Sequence, residues 1–211
     1  MATRSTASSR RSGRASTARP RAVSRGAASP DVIALIKSDH TAVKQLFRRF
    51  QSLGERAYKG RRQMAERIIK ELSVHAAVEE QVLYPNAKAG LPQGERLVNE
   101  AIAEHQELKE SLTALDKCSP QSPEFDELMA RVEREVRNHV REEEAPNGIL
   151  ALLRKHASRE ELHNMADLVR LAKRAAPTRP HPKTPSTPPA NVILGAAAGV
   201  VDRVRDKASG R

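Results

Sequence analysis

The chain has 211 residues, a formal net charge of +11 and a single cysteine, Cys118. The length suits one domain with a hydrophobic core, and one cysteine excludes an internal disulfide or a site built from several thiolates. Residues 1–30 hold seven arginines and no acid, and residues 173–211 hold eight Lys or Arg against two Asp. The positive charge therefore lies in the two ends, and the middle of the chain is nearly neutral.

Residues 1–29 are small, polar and basic, and we expect this tail to be disordered because it contains little to bury. The first helix is predicted to follow, with Ser29 as its N-cap, Pro30 at its first position and Asp31 in its first turn. The tail lacks an apolar signal segment, so we expect a cytoplasmic protein, although its composition also resembles an organellar transit peptide.

Four segments show the apolar period of amphipathic helices, and none alternates like a strand. The second segment is expected to stop before Pro85. Short loops between such helices predict an all-α fold, an up-down-up-down four-helix bundle over residues 30–176. One or two short additional helices complete this region, the last opened by a capping box of Ser158 and Glu161. The four main segments are residues 31–51, 61–84, 95–116 and 122–146.

Residues 177–190 form a proline-rich linker that we expect to be extended and unpacked. Residues 191–211 are a short segment that is apolar at first and basic at its end. Its apolar run is about half the length that crosses a bilayer, so no transmembrane span is predicted. Docking on the bundle, contact with a second subunit in a homo-oligomer, binding to a membrane surface and disorder all remain open.

An internal repeat places one histidine in each of the four main helices. The segments SDHTAVKQL and AEHQELKES align around His40 and His105, and HAAVEE and HVREEE align around His75 and His139. The separations also agree, with 35 residues from His40 to His75 and 34 from His105 to His139. Two helix pairs are therefore repeated with their histidines in register.

Two of these histidines are followed by a glutamate four residues later, and residues four apart project from the same side of a helix. Four imidazoles and two carboxylates exceed the needs of one tetrahedral ion and suit two metal ions held close together. Without thiolates, iron or manganese is favoured, and zinc or copper is compatible. The predicted metal ligands are His40, His75, Glu79, His105, His139 and Glu143.

Four acids adjoin these ligands in the chain, namely Asp39, Glu80, Glu104 and Glu144. One residue turns a helical side chain by about 100°, so we expect these acids to orient imidazoles rather than to bind metal. The alternative is a buried hydrogen-bonded network without metal. A single histidine on an apolar stripe usually belongs to such a network, whereas four in register with two repeated carboxylates favour a metal site.

The order of these ligands resembles the hemerythrin family in its histidine-histidine-glutamate (HHE) cation-binding form, over about residues 31–172. The resemblance implies a non-haem centre of two iron ions in a four-helix bundle, with manganese or zinc less favoured. It also implies a protein that binds dioxygen or serves in iron, oxygen, nitric oxide or peroxide responses. The expected partner is thus a small diatomic ligand or peroxide.

Two positions depart from the oxygen-carrying hemerythrins of marine invertebrates. Those proteins have a second histidine on the third helix where this chain has Lys109, and their last carboxylate is an aspartate five residues after its histidine, whereas Glu143 follows at four. Fewer nitrogen ligands leave more positions for a small ligand. The departure favours sensing, scavenging or an iron-linked conformational change over reversible oxygen carriage.

Two other hypotheses remain open. The same site could belong to a diiron enzyme that decomposes peroxide, but the sequence shows no further general acid or substrate pocket, and Tyr84 is expected to pack rather than react. Alternatively, the basic tails could bind nucleic acid or a membrane surface. They lack aromatic residues between the arginines, and no nucleic-acid-binding motif is present.

Overall fold

The computed structural model describes Met1, residues 29–187 and residues 190–209, so nearly all of the tail that we expect to be disordered lies outside the described residues. Within those ranges the chain forms helices and no strand. The predicted all-α fold, a four-helix bundle with extra C-terminal helices, is confirmed. The elements are α1 (Val32–Gln51), α2 (Tyr58–Val78), a π-helical turn (Glu79–Leu83), α3 (Tyr84–Gly90), α4 (Gly94–Lys117), α5 (Glu124–Glu143), α6 (Ile149–His156), α7 (Arg159–Ala175) and α8 (Ala190–Ser209).

Helix α1 begins two residues later than predicted. Asp31 is its N-cap, because its carboxylate accepts a hydrogen bond from the backbone N–H of Ala34 at 3.0 Å. The same carboxylate pairs with Arg154 of α6 at 2.7 Å. The prediction of Ser29 as the N-cap is therefore wrong, whereas the capping box that opens α7 is confirmed.

The second helix was predicted to stop near Pro85. It instead continues through the π turn into α3. In this turn the N–H of Tyr84 donates to the carbonyl of Glu79, five residues back. The next bond of this kind would need an N–H on Pro85, which proline lacks. Asn191 of α8 instead donates its side-chain amide to the Glu80 carbonyl at 3.1 Å. The wider turn and a partner from α8 thus let the helix pass the proline.

A layer of polar residues divides the bundle interior into two hydrophobic clusters. On α1, Ile36 belongs to one cluster and Val43 to the other, and His40 lies between them. On α2 and α4, too, a histidine lies between a residue of one cluster and a residue of the other. The flanking residues are Leu72 and Val78 on α2, and Ala101 and Leu108 on α4. The apolar residues around this layer exclude water from it, so each polar group within it needs a partner.

The C-terminal part of the chain packs on the bundle, in contrast to the unpacked linker that we expected. We call residues 177–187 together with α8 the C-terminal arm. The backbone N–H groups of Thr178 and Arg179 both donate to Asp202 at 3.0 Å, and the Thr178 hydroxyl donates to Asp206 at 2.6 Å. Among the described residues, no helix is long and apolar enough to cross a membrane.

Candidate metal centre

The six predicted ligands all lie in the polar layer between the two clusters. Helix α1 contributes His40, α2 contributes His75, the π turn contributes Glu79, and α4 contributes His105. Helix α5 contributes the last two, His139 and Glu143. Each of the six is buried, with at most 6% of its surface exposed. The structure therefore brings the whole predicted set together.

The Glu79 carboxylate lies at the centre of this group. Its Oε1 is 3.2 Å from Nε2 of His75, and its Oε2 is 3.3 Å from Nε2 of His105 and 3.9 Å from Nε2 of His139. Nε2 of His40 lies 3.4 Å from Oε2 of the other carboxylate, Glu143. Each imidazole thus directs the same ring nitrogen towards a central carboxylate.

The imidazoles are arranged as two neighbouring pairs. The ring centroids of His40 and His75 are 4.9 Å apart, and those of His105 and His139 are 4.7 Å apart. The centroids of His40 and His139, which belong to different pairs, are 6.5 Å apart. One potential donor atom from each of His40, His75, Glu79 and His139 lies within 4.8 Å of the others. Two pairs around central carboxylates are compatible with either one or two cations.

The outward ring nitrogens contact the four acids that the sequence assigned to orientation. Each acid stands beside a predicted ligand on one helix and reaches the histidine of the next, so that the contacts run around the whole bundle. The Nδ1-to-oxygen distances are 2.8 Å for His40 to Glu144, 3.6 Å for His75 to Asp39, 3.0 Å for His105 to Glu80 and 2.8 Å for His139 to Glu104. For His40, His105 and His139, the acid on Nδ1 holds the proton there and leaves Nε2 free to bind a cation. The 3.6 Å between His75 and Asp39 is an ion-pair distance that is too long for a hydrogen bond.

Most of the inward atoms have no hydrogen-bond partner among the described residues. They are Nε2 of His40, His75 and His139 and both carboxylate oxygens of Glu79 and of Glu143. Buried polar atoms without partners are costly, and imidazole nitrogens and carboxylate oxygens are the donors that transition metals bind. The residues therefore fit bound cations, and the atoms of His40, His75, Glu79 and His139 lie close enough together to share one.

The pKa shifts of the buried groups in the polar layer also favour a bound cation. Burial raises the pKa of Glu79 well above its ordinary value, and the nearby Glu143 carboxylate raises it further. Burial also acts to raise the pKa of Glu143, but the imidazoles of His40 and His139 lower it overall. Burial lowers the pKa of His75 to about 4, so this imidazole is neutral near pH 7 and can offer a lone pair. A bound cation would remove the cost of holding two buried carboxylates together.

Tyr84 packs in one of the two hydrophobic clusters, as expected, and its hydroxyl also reaches the predicted site. Its hydroxyl lies 3.2 Å from Nε2 of His105, and the residue is 1% exposed. Because of the π turn, Tyr84 lies one turn above Glu79 although it is five residues further along the chain. In an α-helix, the residue four positions after Glu79 would occupy this place. Pro85 is the only sequence signal near this distortion, and a proline alone does not predict a π turn.

A surface depression beside α4 and α5 leads to the polar layer. Its lining includes His139 and Glu143 of the buried set together with Glu100, Glu104 and Glu142 nearer the surface. The side chains of Glu142 and Glu100 are more than half exposed, whereas that of Glu143 is 2% exposed. Acidic groups around an opening attract cations, although one of these acids, Glu100, is paired at 2.7 Å with Arg96, which also lines the depression.

Comparison with known proteins agrees with this geometry. The family model described as the hemerythrin HHE cation binding domain matches residues 31–146. The match spans α1 to α5 and includes all six predicted ligands. The chain therefore belongs to the hemerythrin HHE cation-binding domain family.

Individual relatives cover different shares of the chain. A hemerythrin-like protein of Schizosaccharomyces pombe is 27% identical over 172 residues, which are 81% of this chain and 83% of that protein. A protein of Nostoc sp. named as a DNA nickase is 31% identical over 143 residues, but the chain spans only 38% of its length. One similar solved structure is the crystal structure of an HHE cation-binding domain-containing protein from Mycobacterium kansasii. It has a TM-score of 0.58 and 21% sequence identity, over 68% of this chain and 88% of that chain, and it shows that the two proteins share a fold.

Proposed function

We propose that the six buried residues hold two non-haem iron ions and that the centre binds dioxygen or a related small ligand, nitric oxide or peroxide, in sensing, scavenging or an iron and oxygen response. The observation that carries this proposal is the set of inward, buried nitrogen and oxygen atoms without hydrogen-bond partners. Two imidazole pairs around two carboxylates support two ions rather than one. Imidazole and carboxylate donors without thiolate support iron.

The residues have distinct parts in this function. Glu79 lies near histidines of both pairs, which supports a bridging position between two ions. When bound, the iron ions would supply open coordination positions and a change of oxidation state. The hydrophobic clusters on either side exclude bulk water, and the depression beside His139 admits a small solute. The Tyr84 hydroxyl lies within hydrogen-bonding distance, 3.2 Å, of one inward nitrogen, Nε2 of His105.

Metal analysis of the purified protein tests this proposal directly. We expect about two iron ions per chain after anaerobic ferrous loading, with diferric absorption bands after oxidation and a spectral change on adding nitric oxide or peroxide. A Glu79→Ala variant should lose this iron, and Glu127→Ala on the exposed side of α5 should retain it. A wild-type protein that binds no iron and gains no stability from ferrous ions would contradict the proposal.

DNA association is a second candidate function. It is supported by the relative named as a DNA nickase and by the surplus of arginine and lysine at both ends of the chain. Removing residues 1–28 should weaken duplex DNA binding and flatten its dependence on salt, because each phosphate contact releases a counterion. Gel retardation at two salt concentrations, with a plasmid nicking assay beside it, checks this. Equal and poor binding by both proteins would exclude it.

A further inference from the structure

Helix α7 and the C-terminal arm reach two of the acids that orient the histidines. Lys173 of α7 contacts both carboxylate oxygens of Asp39 at 2.6 Å, and Asp39 faces His75. Lys109 of α4 contacts the Glu80 carboxylate at 2.7 and 2.9 Å. Helix α7 and the arm lie beyond the region that the family model matches, which ends at residue 146. The outer support of the site therefore extends into a part of the chain outside that match.

The arm holds Glu80 from two sides. Its Ser186 hydroxyl lies 3.0 Å from Nζ of Lys109, which in turn binds the Glu80 carboxylate. The side-chain amide of Asn191 donates to the Glu80 backbone carbonyl at 3.1 Å, which is the carbonyl that Pro85 leaves without a backbone donor. Backbone and carboxylate of Glu80 are thus both fixed by groups that depend on the arm.

Fixing Glu80 has a consequence for His105. The Glu80 carboxylate accepts from Nδ1 of His105 at 3.0 Å, so the orientation of this ring follows the position of the carboxylate. Nζ of Lys109 lies 2.7 Å from the same carboxylate and holds it in place. Lys109 therefore supports the predicted ligand His105 from outside, through Glu80.

We propose that the C-terminal region completes the metal centre, with Lys173, Ser186 and Asn191 acting as positioning residues for His75 and His105 through Asp39 and Glu80. Ser186 acts through Lys109 of α4, which it contacts and which binds the Glu80 carboxylate. The inference rests on the proposed function, since it assumes that these histidines bind a metal ion. Outer groups that orient metal ligands typically change metal affinity by about 10- to 100-fold. By linkage, an arm that strengthens metal binding must itself be held more firmly when metal is bound.

Metal affinity in the full chain tests the positioning role. We expect Lys109→Met and Asn191→Ala to raise the Kd for Co²⁺ by about 10-fold or more and to alter the visible Co²⁺ spectrum. Lys109→Arg, which keeps the charge, should restore much of both. The matched control is Lys117→Met, an exposed lysine on the same helix, which should leave Kd and spectrum unchanged. Ser186→Ala is a mild variant that tests the arm if Lys109→Met fails to fold.

A variant that only adds a methyl group in α8 tests the effect of the arm on metal binding without changing Lys109. A Cβ on Gly199 would lie 2.1 Å from the Ala175 carbonyl, so Gly199→Ala should displace α8 from α7 without touching Glu80. We expect it to weaken Co²⁺ binding in the same direction, and we expect Co²⁺ to slow amide exchange in residues 177–187 of the wild type. Unchanged Kd, spectrum and exchange in folded variants of a metal-binding wild type would overturn this inference alone. A wild type that binds no metal would overturn the proposed function as well.

Discussion

His40 on α1 and Glu144, the C-cap residue of α5, form the contact that closes a ring around the bundle, with Nδ1 of the histidine 2.8 Å from Oε1 of the glutamate. Each of the other three histidines makes the corresponding contact with an acid on the preceding helix. The acids and the ligands therefore come from the same four helices, and no helix can turn without disturbing a ligand on its neighbour.

Loss of one member of this ring should weaken metal binding. We expect Glu144→Ala to raise the metal Kd by about 10- to 100-fold, because His40 loses the group that fixes its ring. Glu144→Gln keeps an acceptor oxygen and should have a smaller effect. Competition with a chromophoric chelator measures both values. If Glu144→Ala binds metal as tightly as Glu127→Ala, an exposed exchange on the same helix, the acid has no orienting role.

Replacing the carboxylate of Glu79 by a neutral amide should affect metal binding and the free energy of unfolding in opposite directions. Glu79 is fully buried, and an ionised carboxylate in such a place is costly unless it is paired. We expect Glu79→Gln to lose metal binding while its metal-free form gains about 1 kcal/mol in the free energy of unfolding. Urea unfolding in the presence of a chelator, beside metal analysis, measures the two effects. Wild-type metal affinity in this variant would exclude Glu79 as a ligand.

The close approach of α6 to the end of α5 makes Gly148 sensitive to substitution. A Cβ there would lie 2.2 Å from the Glu142 carbonyl and 2.6 Å from the Glu143 carbonyl. Gly148→Ala should lower the free energy of unfolding by about 1–3 kcal/mol and weaken metal binding, because the backbone of a ligand must shift. Gly54→Ala, whose Cβ would meet nothing within 4 Å, is the control. Equal stability of the two variants in urea unfolding would contradict this account.

The start of α1 should show a dependence on pH that is separate from the metal site. Burial acts to raise the pKa of Asp31, but the ion pair with Arg154 and the Ala34 N–H lower it overall. A lowered carboxyl pKa stabilises the fold above the unfolded-state value, and this gain is lost as pH falls through the folded-state value. Asp31→Ala should therefore cost about 1 kcal/mol at pH 7 and much less in acid.

Urea unfolding of metal-free protein at pH 7 and near pH 3 measures this difference. Asp31→Asn is the matched variant, because it keeps an oxygen that can cap the helix but loses the ion pair with Arg154. It should fall between the wild type and Asp31→Ala at pH 7. A cost of Asp31→Ala that is the same at both pH values would show that the charge of Asp31 is not involved.

The buried cluster of His and Glu side chains was predictable from the helical period together with the internal repeat. Residues four apart share a face, so His75 with Glu79 and His139 with Glu143 could be placed before any tertiary contact was known. The orienting acids followed from the rotation of one residue. Their partner histidines, by contrast, lie on other helices, and the sequence does not say which acid faces which ring.

The arm and the site tyrosine were not predictable on that basis. Asn191 meets the Glu80 carbonyl across 111 residues of sequence, and Lys173 meets Asp39 across 134, which no local pattern reveals. A proline-rich stretch reads as an unpacked linker because its composition lacks apolar periodicity. Its packing depends instead on Asp202 and Asp206, which α8 supplies from further along the chain. The packing of Tyr84 was expected, but its contact with His105 was not, because the π turn shifts Tyr84 by one position.

The π turn also affects how this chain is matched to others. It gives the helix that runs from Tyr58 to Gly90 an extra residue over the height of one turn. Each residue of an α-helix adds about 100° of rotation. After Leu83, each side chain therefore faces the direction that the preceding residue would face in an uninterrupted α-helix. A residue-by-residue alignment with a relative whose helix lacks the turn needs a one-residue gap between Glu79 and Leu83. Without that gap, Tyr84 is compared with a residue on a different face.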